Sequence, residues 1–260
     1  MRERIRIGQV PIDKLDLRNA LGAIGELIDA GRGGTVFTPN VDHIVLAERD
    51  ARFRKAYQGA SLSLVDGTPV LWAARLLGRP LPEKVSGSDL VIPLMERAAE
   101  RGWGVFLLGG APGAGEAATL RLRERFPGLR IVGVDASRID LGSHLDERRA
   151  VARRIAAASP DLVLVALGAP KQEIFCDEIG EILSPAVLVC VGAGIDFVAG
   201  VARRAPPWMS RWGVEWLYRL AQEPRRLAGR YLLRDPQFVG IVVRQALGLG
   251  PGARVYAGRS

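Results

Sequence analysis

Asp66 is the residue of this sequence best placed for acid–base chemistry. It stands in the stretch SLVDGTPVLWAARLLG, between an apolar run of strand character and an apolar run with helical spacing. A carboxylate at such a junction can accept a proton from a hydroxyl group during a group transfer. It can equally cap the helix that follows, because Asp is a favoured N-cap residue. The local sequence leaves both roles open.

Polar residues and glycines follow several other strand-like runs. TVFTPN predicts a strand that ends in Thr38 and Asn40, although Asn40 alone would serve as an ordinary helix N-cap. VGAGID places Gly194 and Asp196 in the same relation to a later strand. The carboxyl ends of parallel strands meet at one edge of a sheet, where ligands bind. We therefore expect these groups and Asp66 to contribute to one substrate site.

The segment LVALGAPKQE predicts a helix that begins at Lys171, Gln172 and Glu173. A proline and a first-turn glutamate are common at helix starts and need no ligand to explain them. Lys171 is different, because the helix dipole disfavours a cation at this end. A bound anion would account for it, so the three residues are candidates for substrate binding.

A glycine-rich turn follows the strand in FLLGGAPGAGEAA. Gly109, Gly110 and Gly113 would let backbone N–H groups and a helix N-terminus approach a phosphate. Gly113 and Gly115 partly match the dinucleotide fingerprint, but the first glycine of that motif should end the strand. Gly109 does so, and alanine stands where the second glycine belongs. The turn favours a nucleotide diphosphate over NAD, and a tight turn without a ligand is the other alternative.

Residues 103–194 alternate apolar strands with segments of helical spacing. This order predicts an α/β fold: an open, mostly parallel, Rossmann-like sheet with helices on both faces, plus a basic helical appendage. The alternation stops near residue 200. We predict an α/β catalytic domain at 1–200, a basic aromatic appendage at 201–245 and a flexible end at 246–260.

The net charge of +8 lies in the C-terminal part of the chain. Residues 203–260 contain eleven Arg and three acidic residues, whereas the first 202 residues contain 25 basic and 25 acidic groups. Arg with Trp and Tyr suits a membrane interface or a phosphate-rich ligand. Arg219, Arg225 and Arg226 are the predicted diphosphate ligands, because guanidinium groups pair with phosphate oxygens in a bidentate manner.

Several classes of protein fit the sequence poorly. A charged N-terminus argues against a signal peptide, and no apolar run reaches the length of a membrane span. Two Cys and two His argue against a zinc site, and the sequence lacks a D-x-D metal motif. We expect buried free thiols at Cys176 and Cys190, no metal and no cofactor.

Two alternatives to a sugar-nucleotide enzyme arise from the residues. The glycine-rich turn suggests an NAD-dependent oxidoreductase, and the pI of about 10.2 suggests a nucleic-acid-binding module. The charge is confined to one aromatic helical segment without a recognised nucleic-acid motif, so no nucleic acid is expected as a partner.

Seven segments carry a resemblance to a known family. In chain order they are TPNVDHIVLAERD, LVDGTPVLWAARLLG, KVSGSDL, LLGGAPG, LVALGAPKQE, VGAGIDFVAG and RRAPPWMSRWGVEWLYRLAQEPRRLAGRY. Together they closely resemble the WecG/TagA/CpsF family of bacterial glycosyltransferases, from about Ile5 to Phe238.

The resemblance implies an inverting, metal-independent transfer from a UDP-sugar to a polyprenyl-diphosphate-linked GlcNAc-type acceptor. The transferred sugar would be N-acetylmannosamine or its uronic acid, for a cell-wall or surface polysaccharide such as teichoic acid. Asp66 matches the family's proposed base, and Thr38, Asn40 and Gln172 match its substrate-site residues. Lys84 stands where Arg is common and is included among the substrate ligands.

The resemblance also implies a location. The family's basic C-terminal segment, which matches Arg203 onwards, is thought to close over the site and dock on the membrane. We therefore expect a cytoplasmic enzyme, peripheral on the inner face of the bacterial cell membrane. The sequence is also compatible with a homo-oligomer.

Overall fold

The computed structural model describes residues 2–206, 209 and 212–249. An antiparallel hairpin of β1 (Arg4–Ile7) and β2 (Val10–Asp13) opens the chain. A six-stranded sheet follows, in the order β4-β3-β8-β7-β5-β6. Its strands are β3 (Gly34–Phe37), β4 (Leu62–Ser63), β5 (Gly104–Gly109), β6 (Arg130–Asp135), β7 (Leu162–Ala166) and β8 (Val187–Cys190). Every pairing in this sheet is parallel, which confirms the predicted fold class.

Helices follow most of the strands. Before residue 200 they are α1 (Leu17–Asp29), α2 (Val41–Arg49), α3 (Ala51–Gly59), α4 (Thr68–Leu76), α5 (Gly87–Arg101), α6 (Ala114–Arg125), α7 (Leu145–Ala157), α8 (Lys171–Leu183) and α9 (Gly194–Ala199). The C-terminal segment contains α10 (Glu215–Gln222), α11 (Pro224–Gly229), a π-helical turn (Arg230–Arg234) and α12 (Gln237–Ala246).

The sheet separates two apolar cores. Along β5, Val105 and Leu107 point into the core formed with α1, α5, α6 and α9, whereas Phe106 and Leu108 point into the core formed with α2, α3, α7 and α8. Side chains of successive strand residues alternate between faces, so a strand covered on both sides must be apolar throughout. This explains the continuous apolar runs of the sequence.

Three local predictions need correction. The helical spacing of VDHIVLAERDARFRKAYQGA predicts one helix over residues 41–60. The structure has two helices there, because Asp50 is extended and its side chain caps α3 by accepting from the N–H groups of Arg52 and Phe53. The short strand LSLV that the sequence predicts before Asp66 ends two residues earlier, at Ser63. The N-cap of α4 is Gly67 at φ +100°, a conformation that L-residues rarely adopt, so Asp66 is not the N-cap residue.

The C-terminal segment returns to the start of the chain. The Gln245 side chain donates to the carbonyl of Arg6 at 2.8 Å and accepts from the N–H of Gly8 at 2.9 Å. Ile241 and Val242 of α12 belong to the same core as the β1–β2 hairpin. The division at residue 200 stays a prediction, and residues 250–260 of the predicted flexible end lie outside the described residues.

A buried polar cluster lies between α2, α3 and α8. The Gln172 amide donates to Glu173 Oε1 at 2.8 Å, and His43 Nδ1 lies 2.6 Å from the Tyr57 hydroxyl and 3.9 Å from Glu173 Oε1. Burial, with the charge of Arg230, lowers the pKa of His43 to about 3, so the imidazole is neutral at pH 7. Burial raises the pKa of Glu173 to about 7. Cys176 and Cys190 are free and buried, as predicted.

Gly109→Ala tests whether the glycine turn is fixed by packing. A Cβ at Gly109 would lie 2.6 Å from the Ala166 carbonyl oxygen, whereas one at Gly113 would meet no described atom within 4 Å. Both residues have positive φ, so both substitutions cost about 1–2 kcal/mol of backbone strain. The collision should cost Gly109→Ala about 1–3 kcal/mol more in urea unfolding. Equal losses for the two variants would contradict this.

Glu173→Gln should stabilise the protein at alkaline pH. The folded-state pKa is raised from 4.5 to about 7, so the contribution of Glu173 to stability is complete below pH 4.5 and is lost as pH rises through 7. Glutamine keeps the acceptor for Gln172 and removes the charge. We expect a gain of about 3 kcal/mol at pH 8, but below about 1 kcal/mol at pH 5, in urea unfolding. The exposed Glu181→Gln serves as control and should show no such pH dependence.

Candidate active site

A cavity of about 440 Å³ lies at the carboxyl ends of β3 and β4, beneath the C-terminal helices. The loops of the sheet form one wall and the C-terminal segment forms the other. Its lining residues are Asn40, Val41, Asp66, Gly67, Thr68, Pro69, Lys84, Gly213, Glu215, Trp216, Arg230, Tyr231, Asp235, Pro236, Phe238 and Val239. Three predicted site residues, Asn40, Asp66 and Lys84, therefore share one cavity.

Main-chain hydrogen bonds hold the three loops that carry these residues. The N–H of Asp66 donates to the carbonyl of Pro39 at 2.9 Å, which ties the loop after β4 to the loop after β3. The N–H of Val85 donates to the carbonyl of Val65 at 2.7 Å, which ties the Lys84 loop to the same place. The relative positions of the three side chains thus rest on backbone contacts.

Three carboxylates line the cavity. Asp66 belongs to the sheet side, whereas Glu215 and Asp235 belong to the C-terminal segment. Burial raises the pKa of Asp235 to about 6, with the Asp42 charge acting in the same direction and the arginines opposing it. Each of the three could accept a proton, and Asp66 alone stands on a loop at a strand end.

Two cations line the same cavity. Lys84 Nζ lies 3.5 Å from Asp89 of α5 and 4.0 Å from Glu215 of α10, so it links the α/β core to the C-terminal segment. Arg230 donates to Asn40 Oδ1 at 3.2 Å. Asn40 is the N-cap of α2, as the sequence suggested, and its Oδ1 also accepts from the His43 N–H at 3.3 Å.

Arg230 is fixed by a buried acid. Asp42 is only 3% exposed, and its two oxygens lie 3.3 Å from Arg230 Nε and 2.9 Å from Arg234 Nε. The guanidinium of Arg230 also stacks on Tyr231, 5.3 Å from the ring centroid. Arg230 is not among the site residues that the sequence predicted. The available signal was its i, i+4 spacing with Arg234, which places both on one helical face.

Among the three predicted tail arginines, Arg225 is the one with a described side chain. Arg225 is exposed on α11 and is not among the residues that line the cavity. The side chains of Arg219 and Arg226 lie outside the described part of the chain. Their predicted role as diphosphate ligands stays a prediction.

The remaining predicted residues lie at the ends of β5, β7 and β8. β5 and β7 are neighbours in the sheet. The helix after β5 leads to β6, on one side of this pair, whereas the helix after β7 leads to β8, on the other side. The two loops therefore flank a topological switch point, where open α/β sheets bind ligands. Gly109, Gly110 and Gly113 have φ of +87°, +87° and +76°. The turn is held by Asp196, whose Oδ1 accepts from the Ala111 N–H at 2.8 Å.

The first three residues of α8, which starts beside this turn, differ in accessibility. Lys171 is exposed, Gln172 is 3% exposed, and Glu173 is fully buried beneath them. Gln172 Oε1 is buried and has no hydrogen-bond partner among the described residues. A Cβ at Gly194 would lie 2.8 Å from a Val91 methyl group, so close packing accounts for that glycine.

Thr38 lies between the residues that line the cavity and the residues at the ends of β5, β7 and β8. It is 6% exposed and follows β3, the neighbour of β8 in the sheet. A Cβ at Gly87 would lie 3.2 Å from Thr38 Oγ1 and 2.6 Å from the Cys190 carbonyl oxygen. The start of α5 therefore packs closely against the ends of both strands.

Two features are absent from the described residues. No three His, Cys, Asp or Glu side chains in that part of the chain converge as a metal site requires. Among its helices, none combines the length and apolarity that crossing a bilayer demands.

Comparison with known proteins gives the family. The family model described as "Glycosyl transferase WecG/TagA/CpsF family" matches residues 5–251. A protein of Bacillus spizizenii is 32% identical over 217 residues, which is 84% of this chain and 81% of the relative. A protein of Bacillus subtilis is 28% identical over 218 residues, with 84% and 82% covered. Both are named N-acetylglucosaminyldiphosphoundecaprenol N-acetyl-beta-D-mannosaminyltransferase.

The family match covers both walls of the cavity, from the β1–β2 hairpin through α12. The B. spizizenii relative matches over most of both chains. On these two findings, the chain belongs to the WecG/TagA/CpsF family of glycosyl transferases and is a glycosyltransferase.

Proposed function

We propose that this enzyme transfers N-acetylmannosamine, or its uronic acid, from a UDP-sugar to a polyprenyl-diphosphate-linked GlcNAc acceptor. The observation that carries the proposal is the cavity in which Asp66 lies with the two cations Lys84 and Arg230. It offers a base for a sugar hydroxyl and positive charge for a diphosphate. The relatives are named for the transfer of N-acetylmannosamine to N-acetylglucosaminyldiphosphoundecaprenol, which supports the transferred sugar and the acceptor.

In the proposed reaction, Asp66 accepts the proton of the acceptor hydroxyl while the oxygen of that hydroxyl attacks the anomeric carbon of the donor. The bond from the anomeric carbon to UDP breaks, and UDP leaves with the electron pair. Attack opposite the leaving group inverts the configuration at the anomeric carbon. A positioned base of this kind contributes about 10²- to 10⁴-fold to the rate.

The donor diphosphate would bind at the glycine turn. The N-termini of α6 and α8 start beside this turn, and Lys171 is exposed at the second of them. Backbone N–H groups at a helix N-terminus attract anions. Gln172 would bind the sugar of the same donor, because its unpartnered carbonyl oxygen can accept a hydrogen bond from a sugar hydroxyl.

Side-chain cations would take the place of a metal ion. Lys84 and Arg230 face the cavity, so they can offset the charge of the acceptor diphosphate without metal coordination. The donor diphosphate would be balanced at the glycine turn by the helix N-termini and by Lys171. The tail arginines that the sequence analysis selected would add to this charge.

The substrate assignment is tested by product analysis. Purified enzyme with UDP-N-acetylmannosamine and a short-chain prenyl-diphosphate-GlcNAc should release UDP and form the disaccharide, in the presence of EDTA. UDP-glucose and UDP-GlcNAc are the control donors, and mass spectrometry identifies the product. No disaccharide with any UDP-sugar would refute the proposal.

Asp66→Asn should reduce transfer by about 10²-fold or more without unfolding the protein, because asparagine cannot accept the proton. Glu215→Gln and Asp235→Asn are matched controls, since both residues line the same cavity. They should retain turnover within about tenfold at saturating substrates. A larger loss for either control than for Asp66→Asn would assign the base to the C-terminal segment.

We also propose that the enzyme binds peripherally to the cytoplasmic face of the membrane. Exposed apolar side chains occur along the arginine-rich C-terminal segment, among them Leu232 at 60% and Leu233 at 75% exposure. Apolar insertion combined with basic residues is the pattern of interfacial membrane binding.

Membrane binding can be measured by co-sedimentation with vesicles. The enzyme should bind vesicles that contain anionic lipid, and the bound fraction should fall as salt is raised. The double variant Leu232→Ser, Leu233→Ser should bind several-fold less. Leu120→Ser is the control, because Leu120 is 66% exposed but lies on α6 of the α/β core. Equal losses in both variants would contradict docking by the C-terminal segment.

A further inference from the structure

The cavity has charged walls and an apolar opening. Lys84 and Arg230 line it with side chains only 20% and 22% exposed. Val239 and Trp216 also line it, yet they are 63% and 37% exposed. Lining residues that are this exposed must lie where the cavity opens to solvent. Soluble clefts usually show the reverse, with charge at the opening and apolar groups inside.

The apolar opening is formed by residues of α10 and of the start of α12. Trp216 is on α10 and packs on Tyr231, with ring centroids 5.8 Å apart. Pro236 precedes α12 and is exposed, and Val239 is in the first turn of that helix. We call Trp216, Pro236 and Val239 the apolar rim.

Lys84 and Arg230 are the groups of this cavity that can bind an anionic head, and the apolar rim can bind hydrocarbon, so an amphiphile with an anionic head can use both. A diphosphate inside the cavity would face Lys84 and Arg230, and an attached hydrocarbon chain would leave across the apolar rim. A sugar nucleotide could stack its base on Trp216, but it has no hydrocarbon chain to bury against Pro236 and Val239. Burial of hydrocarbon against the rim is favourable in proportion to the area removed from water.

We infer that the apolar rim is a binding subsite for the first isoprene units of a prenyl-diphosphate ligand. This inference rests on the proposed function, because it assigns the lipid portion of the proposed acceptor to a place in the same cavity. The diphosphate binds the cations, and the rim distinguishes a prenyl chain from a short or polar substituent.

Calorimetric titration with isopentenyl, geranyl and farnesyl diphosphate tests the rim independently of transfer, since these ligands share one head group. Below their critical micelle concentrations, wild-type affinity should rise about tenfold or more from isopentenyl to farnesyl diphosphate. Val239→Ser should reduce this gain to about threefold or less. Val243→Ser is the matched control: Val243 is 46% exposed, one helical turn further along α12, and does not line the cavity. Its gain should equal that of the wild type.

Three outcomes would overturn the inference. The first is a wild-type affinity that does not change with the length of the prenyl chain. The second is an equal loss, in Val239→Ser and Val243→Ser, of the affinity gained from isopentenyl to farnesyl diphosphate. The third is a rim that is occupied by a second copy of the chain. Sedimentation velocity of the wild type and Val239→Ser detects the last. Failure of the disaccharide assay with a preserved chain-length gain would refute the acceptor assignment and leave the prenyl subsite standing.

Discussion

The cavity depends on one buried acid. Asp42 is nearly inaccessible to water, and a carboxylate in such a place must be paired with positive charge. Arg230 and Arg234 supply that charge from the far end of the chain. The pairing brings Arg230 to Asn40 and places the π-helical turn over the loops that carry Asp66. Removing one partner of such a group is strongly destabilising, so these ion pairs hold the wall formed by the C-terminal segment to the α/β core.

The sequence predicted the fold because its signals are local. β5, β7 and β8 are apolar on both faces, and short glycine- or proline-containing turns separate them from their helices. Asn40 as a helix cap was equally evident. Arg230 was not, because its partners Asp42 and Asn40 belong to a distant segment. Its i, i+4 spacing with Arg234 does not distinguish it, since Arg226 and Arg230 have the same spacing. The break at Asp50 was missed because apolar spacing continues across it.

Family membership decides between the activities that the glycine turn allowed. A partial dinucleotide fingerprint suggested an oxidoreductase, but the chain is a glycosyltransferase. The sheet edge presents two regions, the turn between β5 and β7 and the cavity beyond β3 and β4, with Thr38 between them. A transferase must hold two substrates with their reacting atoms together. Two adjoining regions on one edge suit the proposed donor and acceptor, and the deeply buried Glu173 fits neither role directly.

The strand order also bears on how the protein is made. In the described sheet, β3 and β4 form one block and β5, β6 and β7 form another, and β8 is the strand that joins them. During synthesis the two blocks must therefore wait for residues 187–190 to leave the ribosome before they can share a sheet. The waiting blocks expose the strand edges that β8 later covers, and unpaired edges of this kind invite misassembly. The edges that are open for that time are short, because β3 has four residues and β7 has five.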